Sequence, residues 1–237
     1  PPLLPRCGAR AAAPGTRHSA RYTRPPDPCP QPKHTPRRTA RPRPSPTLST
    51  GALAGLRVLL LFAGTGLFAD ILTADGAEVT AVDVSLGGEA QDLARATVAN
   101  HYLLRIAAGE FDLVFIATPC ESYSPNHTEA LRTVGSPEGV LPLPERARGY
   151  IAYHNRLAAF TAVAITTASR AGTLVALENS AKRGDEASPA YWPEMADRGS
   201  IWDVPAVATA LRDAGATGAT FAMCAFGCVA QKWTTIM

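Results

Sequence analysis

Residues 57–66 read RVLLLFAGTG, an unbroken apolar run that stops on two glycines. A strand with one wet face alternates apolar and polar residues, whereas a strand covered on both faces does not. Arg57–Phe62 therefore predicts a central parallel strand, and Gly64-Thr65-Gly66 a tight turn into a helix over Leu67–Asp75. Outward from this unit the same alternation repeats. Strands are expected at Glu78–Asp83, Phe111–Thr118, Thr173–Leu177, Thr217–Ala225 and, beginning, Thr234–Met237; helices at Ala90–Leu104, Pro144–Arg170 and Val204–Ala214. Strands separated by helices indicate right-handed βαβ units, an α/β fold and a mostly parallel sheet. In such sheets ligands bind beyond the carboxyl ends of the strands. Gly64, Gly66, Asp83, Cys120 and Glu178 all fall at those ends.

The chain divides by composition. Residues 1–50 hold 13 of the 21 prolines and ten cations against one acid, Asp27, a charge of +9; the remaining 187 residues have 13 cations against 19 acids, −6. A segment this poor in large apolar residues cannot offset chain entropy by burial, so residues 1–52 are expected to be a disordered basic tail and 53–237 the folded domain. The tail suits a phosphate-binding arm, a solvated linker, or an organelle transit peptide. The chain does not begin with Met, and an upstream portion is expected. Cys7, Cys29, Cys120, Cys224 and Cys228 form no disulfide or zinc framework, which points to a reducing compartment. Asn126-His127-Thr128 fits a glycosylation sequon without a secretory signal, and the stretch Leu157–Ser169 is too short to span a bilayer.

The glycine turn offers backbone N–H groups at a helix start, and Asp83, 17 residues after Gly66, is placed to accept the hydroxyls of a ribose. Gly64-x-Gly66-x-x-Ala69 equally satisfies a dinucleotide fingerprint, so a nicotinamide cofactor stays open, as does a plain glycine turn. Cys120 follows a strand end and Pro119, where a thiolate can act as nucleophile; the alternative is a small buried apolar residue. Glu178 closes the next strand, either as an acid in the same cleft or as a capping carboxylate.

Taken in order, Phe62–Gly66, Asp83, Pro119–Ser124 (PCESYS), Glu178–Ser180 (ENS) and Gly227–Lys232 (GCVAQK) resemble the motifs of the cytosine-5 DNA methyltransferases, over roughly residues 57–235. The resemblance implies a doubly wound, Rossmann-like class I methyltransferase fold and S-adenosylmethionine as cofactor. Phe62, Gly64, Thr65, Gly66, Asp83 and Pro119 would hold that cofactor. Cys120 would attack C6 of a flipped-out cytosine, and Glu178 would polarise N3. Asn179 would buttress the loop, with Ser122, Ser124 and Gln231 on the substrate side. DNA is the implied partner and the nucleus the implied compartment, or an organelle if the tail is a transit peptide. Thr118 and Glu121 stand where the family has proline and glutamine, and no counterpart is found for the family's adenine-contacting acid. The chain also stops before a target-recognition segment and closing helix, so the domain reads as incomplete at its C-terminus. Two other classes are weighed: a non-catalytic relic or binding module that keeps the fold, and a nicotinamide-dependent oxidoreductase. The Pro119-Cys120 and Glu178-Asn179 pair disfavours the second. No Asp/Asn-Pro-Pro-aromatic segment of an adenine methylase stands at Pro119-Cys120.

Overall fold

A computed structural model describes residues 51–124, 130–226 and 232–237. The expected tail therefore lies, but for residues 51 and 52, outside the described residues. So do the sequon, Cys7, Cys29, Cys228 and Gln231.

Six strands, β1 (Arg57–Leu61), β2 (Glu78–Val82), β3 (Leu113–Ile116), β4 (Leu174–Ser180), β5 (Ala219–Ala222) and β6 (Trp233–Ile236), form one sheet in the order β2-β1-β3-β4-β6-β5. β1 to β4 run parallel; β6 is antiparallel to both neighbours. The fold is thus α/β with a mostly parallel sheet.

The apolar run of β1 is explained by burial on both sides. Val58 and Leu60 pack with Ala69 of helix α1 (Leu67–Ala74), while Leu59 and Leu61 point the other way into the main core. That core is built with Ile106 of α3 (Ala96–Ala107), Leu157, Ala164 and Ile165 of α4 (Glu145–Arg170) and Val207 and Leu211 of α5 (Pro205–Asp213). Side chains that alternate across a strand require apolar residues at every position when both faces are covered.

Three expectations need correction. The region read as one helix over 90–104 is broken. Asp83 caps a short helix, α2 (Val84–Gly87), by accepting from Ser85 N at 2.8 Å. A 3-10 turn follows over Gly88–Gln91, and α3 starts only at Ala96. Asp92 supplies the reason, since its Oδ1 accepts from Ala94 N at 2.9 Å and holds a turn there. Second, β4 does not end at Leu177. Glu178, Asn179 and Ser180 pair with Ile236, Thr235 and Thr234 of β6, a distant partner invisible in local sequence. Third, the last long strand is short: β5 covers four residues and gives way to a 3-10 turn at Met223–Phe226.

The chain leaves β1 for β2 on one side and returns to β3 on the other, so the sheet switches direction between β1 and β3. Loops that diverge at such a point leave a crevice above the strand ends. Among the described residues, no helix is long and apolar enough to cross a membrane.

Candidate active site

The crevice is a cleft of about 590 Å³, within the usual size range for small-molecule sites. Its walls come from the ends of β1, β2, β3 and β4 and from one flank of α4.

At the β1 end the backbone is forced into an unusual path. Phe62 has φ 62, the one positive value among the described non-glycine residues, and Gly64 and Gly66 follow at φ 59 and 83. Left-handed backbone at a bulky residue costs about 1–3 kcal/mol and survives where its surroundings over-determine it. Here the Phe62 ring meets Phe160 of α4 edge-on, at 6.1 Å between centroids. Asp83 fixes the rest of the turn. Its Oδ2 accepts from Gly64 N at 2.9 Å, and Ser85 Oγ donates to Gly64 O at 2.8 Å. The Asp83 main-chain N–H donates to Gln91 Oε1 at 3.0 Å. An ionised carboxylate has about four acceptor positions. The Gly64 and Ser85 amides occupy two, which leaves the others for ligand hydroxyls.

Gly64, Thr65, Asp83, Gln91, Asp92 and Leu93 line this end of the cleft. Gly66 is buried at the start of α1 and is not in the lining. Asp92 is the acid that motif reading misses, because its stretch looks helical. Its Oδ1 accepts from the Tyr153 hydroxyl at 3.1 Å, tying α4 to the cleft floor. Burial first, then this hydrogen bond, raises the Tyr153 pKa above the ordinary tyrosine value.

At the β3 end, Thr118, Pro119, Cys120 and Glu121 line the cleft. Cys120 is half-buried and opens a 3-10 turn, Glu121–Tyr123. Thr118 is pinned twice. Its hydroxyl lies 2.6 Å from Thr161 Oγ1, whose own proton goes to Leu157 O at 2.9 Å, so Thr118 is the donor. Its carbonyl accepts from Asn179 Nδ2 at 2.7 Å. Asn179 is fully buried behind the cleft wall and is not in the lining, so its place is that of a support.

Neither Ser122 nor Ser124 lines the cleft. Ser122 is buried and accepts from Arg132 Nε at 3.2 Å. Arg132 is itself buried, with its guanidinium 4.1 Å from the Tyr123 ring centre. Burial pulls the Arg132 pKa below the ordinary arginine value. Arg132 thus clamps the two residues that follow Glu121, a role that nothing in its local sequence announces.

Glu178 comes into the same cleft from β4, one-fifth exposed, with Lys232 Nζ 3.3 Å from its Oε1. It also borders an apolar hollow of about 520 Å³ on the α1 side of the sheet, floored by Phe68, Phe115 and Phe221. His154 of α4 completes the thiol end: buried, edge-on to Tyr150 at 4.5 Å, with Nε2 3.7 Å from Glu121 Oε2.

The folded chain therefore assembles Phe62, Gly64, Thr65, Asp83, Pro119, Cys120 and Glu178 around one cleft. Chemically it offers a thiol, a carboxyl group on the neighbouring strand, and a polar, aromatic-walled compartment beside them. Among the described residues no group of three or more His, Cys, Asp or Glu is arranged to hold a metal ion. No protein-family model matches the chain. No curated protein is detectably similar to it.

Proposed function

We propose that this chain transfers a methyl group from S-adenosylmethionine to C5 of cytosine in DNA, through a covalent bond between Cys120 and C6. One observation carries the reading: Cys120 and Glu178, far apart in sequence, line a single cleft with the Phe62–Gly66 turn and Asp83. A sheet with β6 reversed between β4 and β5 is compatible with a Rossmann-like methyltransferase and unlike the all-parallel dinucleotide order.

The residues suit the cofactor. Asp83 retains acceptor positions for ribose hydroxyls; Asp92 and Gln91 offer polar contacts for a base edge; Phe62 and Leu93 supply apolar wall. When bound, S-adenosylmethionine supplies an electrophilic methyl group on a sulfonium. The protein's own part is positioning and proton control. The Thr118 anchor fixes the Cys120 turn, and the Cys120 sulfur bonds to C6. The Glu178 carboxyl group faces N3 and donates the proton that draws electron density from the ring. C5 of a base stacked in a duplex is out of reach, so the cytosine must leave the helix.

Incubating the chain with duplex DNA containing 5-fluorocytosine and labelled cofactor tests this directly. The expected product is a DNA–protein complex that survives denaturation and is absent with Cys120→Ala. A second reading, a non-catalytic module that binds cofactor or nucleic acid, is favoured by the Lys232 ion pair, which engages the Glu178 carboxylate. Cofactor binding without any adduct would select it.

A further inference from the structure

We propose that Glu121 is the group that accepts the C5 proton in the last step of the reaction, and that His154 holds it there. The inference rests on the methyltransferase reading.

The chemistry demands such a group. Once Cys120 sulfur has bonded to C6 and C5 has taken the methyl group, C5 carries both the methyl and its original hydrogen. To finish, the C5–H bond breaks, its electron pair restores the C5=C6 double bond, and the C6–S pair returns to Cys120. The proton needs an acceptor. If Cys120 adds to one face of the ring and the methyl group is delivered to the other, the hydrogen on C5 would be turned toward the thiol. The acceptor must therefore stand beside Cys120.

Glu121 is the next residue along and lines the same cleft. Its side chain is 73% exposed, which gives the accepted proton a direct route to water. A carboxylate that exposed has many rotamers available, and aiming it requires a fixed partner. His154 provides one. Its side chain is 3% exposed and sits on the long helix α4, with Nε2 3.7 Å from Glu121 Oε2. The imidazole is held edge-on by Tyr150 and Tyr153, at 4.5 and 5.7 Å between centroids. Tyr153 in turn donates a hydrogen bond to Asp92. The imidazole faces the Glu121 carboxylate from a fixed place on α4. His154 is thus a positioning residue, and Glu121 the acceptor.

The test uses the full chain with Glu121→Gln and His154→Gln on two substrates. In 5-fluorocytosine DNA, fluorine stands where the departing hydrogen would be, so the adduct accumulates whether or not an acceptor is present. Glu121→Gln is expected to form that adduct at the rate of the unaltered chain. On ordinary cytosine DNA its turnover should fall about 100-fold or more, and covalent complex should accumulate where the unaltered chain leaves none. His154→Gln should lower kcat about tenfold with KM unchanged. Unchanged turnover in Glu121→Gln overturns the inference alone. So does loss of the fluorocytosine adduct in parallel with turnover, because the residue would then act before elimination. If the unaltered chain forms no adduct, the methyltransferase reading and this inference both fall.

Discussion

Asn179 Nδ2 donates to the main-chain oxygen of Thr118 at 2.7 Å, joining the end of β4 to the peptide two residues before Cys120. The amide is fully buried, and its Oδ1 accepts from Ser180 N at 2.9 Å. Asn179→Ala leaves a buried carbonyl and a buried amide without these partners, a loss of about 1–3 kcal/mol. Urea denaturation should show it as a lower midpoint with little change in slope. The same variant should form adduct more slowly while binding cofactor normally, because the bond steadies the thiol and not the Asp83 end.

Glu178 and Cys120 are separable in function. Cys120→Ala should abolish the covalent complex altogether and leave equilibrium binding of cofactor intact by calorimetry. Glu178→Gln keeps size and an oxygen to accept from Lys232 but cannot take up and pass on a proton. Its adduct-forming rate is expected to fall about 10²–10⁴-fold, the usual worth of a positioned general acid. A Glu178→Gln chain with unaltered kinetics would remove Glu178 from the mechanism.

Gly66 opens α1 at φ 83, a region that side chains with a Cβ rarely adopt. Space is not the obstacle, since an added Cβ would meet nothing nearer than Leu86 Cδ2 at 3.8 Å. Gly66→Ala should therefore cost the backbone strain alone, about 1–2 kcal/mol. Thermal melts should show a lower midpoint, with the cofactor-induced shift unchanged because Gly66 does not line the cleft.

Arg57 and Asp112 bracket the opposite end of β1 in a solvent-exposed ion pair, whose modest contribution to stability depends on pH. The carboxylate accepts from the guanidinium at 2.7 and 3.1 Å and from Arg57 N at 2.9 Å. The Arg57 side-chain bond first, then the backbone bond, holds the Asp112 pKa at about 2, below its ordinary 3.8. A folded-state pKa below the unfolded one adds stability above the unfolded value and loses it as pH falls. The contribution should be complete above about pH 4 and vanish toward pH 2. The melting-temperature gap between the unaltered chain and Asp112→Asn should close across that window. A gap independent of pH would rule out the ion pair as its source.

Much of the architecture was legible because it depends on local pattern. RVLLLF announced a strand buried on both faces, and such a strand flanked by helical segments has few ways to pack. The glycine turn, Asp83 and Pro119-Cys120 were readable for the same reason, as residues that interrupt apolar runs at strand ends, and Glu178 as an acid that interrupts the apolar run of β4. Tertiary structure alone decided the rest. β4 runs on through Asn179 because β6 folds back beside it, and a pairing partner some 55 residues away leaves no mark on the strand it extends. Asp92, Tyr153, His154 and Arg132 sit on segments whose periodicity speaks only of helix or loop. Tyr153 and His154 enter the site because the packing of α4 turns one flank toward the cleft, where Tyr153 meets Asp92, while Arg132 acts from outside the lining through Ser122 and Tyr123. Ser122 shows the converse: adjacent to the site in sequence, it is rotated into the interior by a 3-10 turn that Arg132 clamps. Short-range sequence fixes which way a chain is able to bend, whereas the convergence of side chains on a cleft is a property of long-range packing.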